Sequence, residues 1–319
     1  MKSDKSRYQP ALINVPPLFS WPLNPRHILK WLFIDLLWPW ALLWFCVAAL
    51  VWQFQLSDLK QMTQLQFDWI AGIWIRNAII LSVVAGGLHW WFYIHRGQAD
   101  DTKFTPKWLA ENDDQFLWGD QVKDNMFWSL VSGVTIWSAF EALTWWWYAN
   151  GYMNYLTLAE SPVYFVLMIW GVLFWSTFHF YFNHRLLHWK PLYDISHELH
   201  HRNSNTGPWT GISMHPIEHV IYFSVFLIAW VVPIHPVLII ALGLFQGVSP
   251  AVSHSGFDYL KIGKTLQIPT GDNFHNLHHR YFHINYGNSM TPIDYLFNSW
   301  HDGSEKGKAV LKQRMRAKV

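Results

Sequence analysis

Residues 31–54 carry a single ionisable side chain, Asp35, in an otherwise apolar and aromatic run. At ~1.5 Å per residue such a run outlasts the ~30 Å hydrocarbon core of a bilayer, so the first element is expected to be a membrane-crossing helix. Three more runs of this kind follow at 69–94 with Arg76, 126–148 with Glu141, and 163–182. A cleaved signal peptide would show a shorter apolar core and a small-residue cleavage site, and neither is present. Beyond Pro216, two shorter apolar arms, 217–232 and 237–253, flank Pro233 and Pro236. Each is short for a crossing, so they are expected either to dip into the bilayer as a hairpin or to make two thin spans. Trp145, Trp146 and Trp147 suit an interfacial aromatic belt. The expected fold is all-α and polytopic: four transmembrane helices plus an apolar helical hairpin, with a cap of histidine-rich helices on the cytoplasmic face.

Composition narrows the chemistry. Only 14% of residues are charged, and 23 Lys and Arg against 21 Asp and Glu leave +2, too little basic excess to follow a nucleic-acid backbone. The single cysteine, Cys46, rules out an internal disulfide framework and any multi-thiolate metal site. Basic residues then set the sidedness. Lys2, Lys5, Arg7, Arg26 and Lys30 precede the first span, Lys60 alone follows it, and Arg96, Lys103, Lys107 and Lys123 follow the second. Residues 149–162 have none, while the segment after His254 is rich in them. By the positive-inside rule, the N-terminus, the 95–125 loop, the histidine-rich region and the C-terminus share the cytoplasmic side. That side faces the cytoplasm from the inner membrane of a bacterium or the endoplasmic reticulum of a eukaryote. The chain shows no internal repeat and divides into 1–160, with three spans; 161–302, with the histidines; and 303–319. This last part is a basic tail with Lys306, Lys308, Lys312, Arg314, Arg316 and Lys318, expected to be a mobile strip near anionic lipid.

Eighteen histidines are unusual, and their spacing more so. His184-Arg-Leu-Leu-His188 puts two imidazoles one helical turn apart. His197-Glu-Leu-His200-His201, expected to be capped at Asp194 or Ser196, and His275-Asn-Leu-His278-His279, after the capping sequence Thr270-Gly-Asp-Asn, each put three imidazoles on one stripe. These clusters offer more donors than one ion takes, which argues for two metals; neutral imidazoles suit Fe, Zn, Cu or Ni. His179 is placed either to ligate or to support a ligand. His215 and His219 flank Pro216 and are expected to cap a helix and support ligands. Glu198 and Glu218 are the carboxylates placed to orient an imidazole by accepting its second N–H. Isolated histidines such as His27, His89, His95, His235 and His301 are expected to be ordinary packed or interfacial residues. Glu141 is costly within a span, and is expected either to face a cavity or a polar headgroup, or to lie at the interface beside Trp145.

Two of these stretches also fit zinc-protease patterns, H-E-x-x-H at 197–201 and H-x-x-E-H at 215–219. An intramembrane zinc metallohydrolase or protease is therefore the alternative. Against it, Pro216 interrupts the second pattern, and Asn276 stands where the third cluster would need a catalytic Glu. A single zinc would also leave most of the histidines without a role. A metal transporter would place ionisable groups along the bilayer midplane, whereas these bunch at one end of the spans.

The histidine clusters, together with Met214-His215-Pro216-Ile217-Glu218, Ser253-His254-Ser255-Gly256-Phe257-Asp258 and the trailer Phe282-His-Ile-Asn285-Tyr286-Gly287, resemble the fatty acid hydroxylase superfamily of integral-membrane sterol desaturases and lipid hydroxylases. The resemblance covers roughly 165–300. It implies a dinuclear centre of two Fe ions, with Zn able to replace them on isolation, and O2 as co-substrate. It also implies that His254 joins His184, His188, His197, His200, His201, His275, His278 and His279 as a ligand, and that a C–H bond of a lipid or sterol-like substrate is hydroxylated or desaturated. The chain departs from some branches at Asp258, where they carry a further histidine. No G-x-G-x-x-G turn, C-x-x-C-H or ferredoxin cysteine set is present. Electrons are therefore expected from a separate reductase, ferredoxin or cytochrome-type donor docking on Lys190, Arg202 and Arg280.

Overall fold

The computed structural model describes residues 8–56, 58–263 and 265–316; of the basic residues used for sidedness, Lys2, Lys5, Arg7, Lys264 and Lys318 lie outside them. The first apolar run is not one straight crossing. It is a pair of helices, α1 (Pro25–Asp35) and α2 (Trp40–Leu56), bent by 45°. Asn24 starts α1 by accepting from the Arg26 and His27 N–H groups at 3.1 and 3.3 Å. Pro39 lacks an N–H and its ring crowds the preceding turn, which accounts for the break. Three long spans follow: α3 (Phe67–Ile94), α4 (Gln121–Ala149) and α5 (Pro162–Leu187). Asp120 sets the start of α4, accepting from Val122 N and Lys123 N.

The two arms of the expected hairpin are unequal. α7 (Pro216–Trp230) is too short to qualify as a span, whereas α8 (Pro236–Ser253) does qualify and has 78% of its apolar window buried, against 11% for α5. α8 is thus the central helix and α5 an outer one. Close approach of α8 to α4 depends on glycine: a Cβ on Gly247 would lie 2.6 Å from the Trp137 ring. The helix numbered α6 covers 190–201, between α5 and α7. After α8 the chain departs from all-α: β1 (Tyr259–Ile262) and β2 (Leu266–Pro269) form an antiparallel hairpin pairing Tyr259 with Pro269. Gly263, at φ +63°, occupies its turn. It leads into α9 (Asn273–Tyr281). The basic tail is not a loose strip either: 305–316 form a helix, α10 (Glu305–Arg316), whose Leu311 is buried with Leu277 and Ile284.

The segments expected on one side do meet at one end of the bundle. Tyr8 donates to Asp258 at 2.5 Å, Ile13 N to Asp302 O at 3.0 Å, and Thr105 to Asn205 at 2.6 Å.

Glu141 is enclosed by protein, beside Trp145. It is 1% exposed and holds Arg76 of α3 at 2.5 Å, while Asn77 and Trp145 donate to its two oxygens at 3.1 Å. Arg76 also donates to Gln55 of α2 at 3.0 Å, so one ion pair joins three helices. Removing one partner leaves a buried charge unpaired, at a cost of about 3–5 kcal/mol. Glu141→Ala is therefore expected to lower the thermal midpoint in detergent sharply, and Arg76→Leu/Glu141→Leu to recover much of the loss.

Candidate metal centre

Four elements bring the histidines together. His184 and His188 stand one turn apart at the end of α5. His197, His200 and His201 come from α6, His254 from the residue after α8, and His275, His278 and His279 from α9. Asp272 starts α9 by accepting from Phe274 N at 2.9 Å; burial pushes its carboxyl up to about 6. α6 begins earlier than the sequence suggested. Pro191 occupies its first turn, Asp194 pairs with Lys190 at 2.7 Å, and Ser196 donates back to Leu192 O at 2.6 Å, so neither Asp194 nor Ser196 is a cap.

The nine imidazoles sort into two adjoining groups: His184, His188, His197, His201 and His278, and then His200, His254, His275 and His279, with the candidate donor atoms of each group within 4.8 Å of one another. The HxxHH stripes do not act as units. In α6 the i and i+4 members, His197 and His201, join the first group and the i+3 member, His200, the second; in α9 the assignment reverses, His275 and His279 joining the second group and His278 the first. The reason is angular. Positions i+3 and i+4 lie ~100° apart around a helix, so adjacent histidines reach to either side.

Hydrogen bonds fix which nitrogen faces inward. Nδ1 of His184 donates to Tyr286 O at 2.6 Å, His278 to Ile284 O at 2.6 Å, His254 to Pro250 O at 2.9 Å and His200 to Ser213 O at 3.2 Å. A carbonyl only accepts, so each Nδ1 carries the hydrogen and each neutral ring turns a lone pair on Nε2 inward. His197 meets Glu218 Oε1 through Nδ1 at 2.7 Å, and Nε2 of His184 and of His197 is buried without a partner. Nε2 of His188, His201 and His278 form a triangle 3.1 Å on each side, and His254 and His279 repeat that spacing. Three such nitrogens cannot all hydrogen-bond one another, because each carries either a hydrogen or a lone pair. The 3.1 Å edge falls between the ~2.9 Å and ~3.4 Å expected for right-angled and tetrahedral nitrogens on metal bonds of ~2.0–2.1 Å. Both groups therefore fit a cation.

Burial keeps the rings uncharged. It pushes His200 down to about 4 and His254 to about 3, and holds His188, His197, His201, His275, His278 and His279 well below the ordinary imidazole value, their mutual repulsion adding to the effect. Burial also raises Glu218 well above the carboxylate range; a cation on His197 Nε2 would oppose that. Glu218 is accordingly placed to orient the ring of His197. Glu198 is not so placed: it sits on the outer face of α6 and is exposed, and among the described residues no candidate donor imidazole bonds to it. Glu218→Ala is expected to weaken metal affinity by about 10- to 100-fold, read by chelator competition on the purified chain.

The three histidines expected to support or join the ligands, His179, His215 and His219, stand outside both groups. Both ring nitrogens of His219 are engaged, by Ser132 at 2.9 Å and Ile212 O at 3.0 Å; His215 caps α7 through Ile217 N; His179 meets Ser224 and Asn183. His235 likewise caps α8. Of the basic residues proposed for docking, Arg202 is tied to Gln115 O and lies 3.8 Å from Asp124, whereas Lys190 and Arg280 are exposed.

Several contributors had no sequence signal, chief among them the orienting carbonyls and Asp294. Asp294 is buried and its carboxylate takes the N–H groups of Tyr286 and Gly287 at 2.8 and 2.7 Å, fixing the loop whose carbonyl holds His184. A cavity of about 180 Å³ reaches His184, His197, His200, His254 and His275 between α5 and α8, walled by Phe180, Met214, Tyr222 and Phe245.

The fatty acid hydroxylase family matches residues 168–299, a segment that contains all nine imidazoles. This part of the chain is similar to a fatty acid hydroxylase domain. Outside it lie α1 to α4 and α10. The chain is 29% identical over 172 residues to a Delta(7)-sterol 5(6)-desaturase of Eremothecium gossypii, covering 51% of this chain and 46% of that one. It is 33% identical over 127 residues to methylsterol monooxygenase 1 of Danio rerio, covering 39% and 43%. It is 29% identical over 182 residues to a very-long-chain aldehyde decarbonylase of Oryza sativa, covering 49% and 28%. The chain thus spans about half the length, or less, of these relatives. No solved structure matches it.

Proposed function

We propose that the hydroxylase domain is the active part of a membrane-bound oxidase that hydroxylates or desaturates a C–H bond of a lipid or sterol-like substrate. The observation that carries this reading is the pair of adjoining, buried, all-imidazole donor groups at the end of an apolar cavity between membrane helices. The relatives, named as sterol desaturases and a methylsterol monooxygenase, support the same class of chemistry.

His184, His188, His197, His201 and His278 would hold one ion, and His200, His254, His275 and His279 the other. Two irons bound in these donor sets would supply reductive activation of O2 and an oxidant for an unactivated carbon. The remaining work belongs to the protein. Neutral rings offer lone pairs without first releasing a proton. The carbonyls of Pro250, Ser213, Ile284 and Tyr286, with Glu218, fix ring orientation. Phe180, Met214, Tyr222 and Phe245 hold the reacting chain and exclude water.

Electrons come from a separate donor. Its place of docking is the recess lined by His188, Lys190, Tyr193, Tyr281 and Phe282, where Tyr193 and Phe282 lie 5.6 and 4.8 Å, centroid to centroid, from the rings of His188 and His201. This cap and both termini face the cytoplasm, as the basic residues indicate. The zinc-hydrolase alternative would need Glu198 at the metal, and that carboxylate is exposed.

Lipid extracts from cells with and without the chain test the reading. A product one oxygen heavier or two hydrogens lighter, formed only in the presence of O2, is expected; an O2-independent hydrolysis product would replace the oxidase with the hydrolase.

A further inference from the structure

The cavity is not uniformly apolar. At the end away from the histidines its lining includes Ser176 and Thr177 of α5 and Gln246 of α8. Ser176 precedes His184 by two helical turns, and Gln246 precedes His254 by the same interval. At ~1.5 Å per residue both polar groups lie about 12 Å along their helices from the candidate ligands. The two helices meet there: Gln246 Nε2 reaches the carbonyl and the hydroxyl of Ser176, each at 3.5 Å, the outer limit of a hydrogen bond. Gln246 is only 2% exposed and borders the cavity, and among the described residues its side chain bonds only through Nε2 to Ser176. Thr177, in the cavity lining, gives its hydroxyl hydrogen to Phe174 O at 3.0 Å, so its oxygen can act there only as an acceptor. If an apolar ligand filled the cavity, the amide oxygen of Gln246 would be left without a partner, at a cost in free energy.

We infer that Ser176, Thr177 and Gln246 form a recognition site for a hydroxyl group of the substrate, about 12 Å from the carbon that is oxidised. The hydroxyl hydrogen goes to Gln246 Oε1, and the hydroxyl oxygen accepts from Ser176. The substrate class narrows from any lipid to a hydroxylated one, with its oxygen two helical turns from the reacting C–H bond. An unfunctionalised hydrocarbon chain would bury the Gln246 oxygen unpaired and bind more weakly.

This inference rests on the oxidase reading for what happens at the histidines, but its test involves no turnover. The full chain in lipid nanodiscs is titrated with 1-decanol and with n-undecane, which have equal numbers of heavy atoms, and apparent affinity is read from the ligand dependence of thermal unfolding. One net hydrogen bond predicts about 3- to 10-fold tighter binding of the alcohol. Gln246→Leu and Ser176→Ala should each bring the ratio toward one. The ratio is taken within each variant, so a general loss of stability cancels; Gln246→Met serves if the leucine variant does not fold. Equal affinities in the unsubstituted chain would overturn the site. So would a preference that survives both substitutions, which would assign the pair to helix packing and a bound water. If the alcohol preference holds while no O2-dependent product forms, the recognition site stands and the oxidase reading falls.

Discussion

His278→Ala and His279→Ala, neighbours on one turn of α9, are expected to empty different metal sites. His278 belongs to the five-membered group through its contacts with His188 and His201, and His279 to the four-membered group through His254. Each variant should therefore keep about one ion per chain, and the two should differ in which ion is lost. Loss of an orienting partner alone costs about 10- to 100-fold in affinity or activity, so loss of a direct donor should cost more than about 100-fold in product formation. Metal content and single-site spectra of the two purified variants check this. If both lose the same ion, the crosswise division of the stripes is wrong.

The second large effect is acid lability. The buried imidazoles are held below their ordinary value of 6.5, His200 at about 4 and His254 at about 3. Between these values and 6.5 the unfolded chain binds protons that the folded chain refuses. Folding stability is therefore complete above about pH 6.5 and declines as the pH falls. At about 1.36 kcal/mol per unit, His200 alone accounts for about 3 kcal/mol between pH 6.5 and 4. Bound metal adds to the trend, because each ligand must stay unprotonated. Denaturant melts of the metal-free chain at pH 7.5 and 5.5 should show the lower midpoint at 5.5; an unchanged or higher midpoint there would mean that the rings are charged in the folded protein.

Much of this site was legible in the spacing of the histidines, because helical period and imidazole chemistry are local properties. All nine candidate ligands lie within the two groups. The division between the groups was not legible. It depends on how α6 and α9 are rotated against each other, which tertiary packing sets. The same is true of the orienting partners. Glu198 lies next to His197 in sequence but on the outer face of α6, while Glu218 arrives from α7 to meet the ring. The backbone carbonyls carry no side-chain signal at all.

The fold shows a similar split. Apolar runs identified the spans, yet a hydropathy argument does not register the bend at Pro39 or distinguish the central α8 from the peripheral α5. Glu141 was recognised as costly, but its compensation by Arg76 and Asn77 comes from a helix distant in sequence. The tail looked like a solvated charge run because Leu311, the one buried tail residue among those described, is outnumbered by lysines and arginines.

Metal loading tests the central claim most directly. The full chain, purified in detergent, stripped with chelator and reloaded anaerobically with ferrous iron, should retain two ions per chain after desalting. Retention of one, or of none, would contradict it.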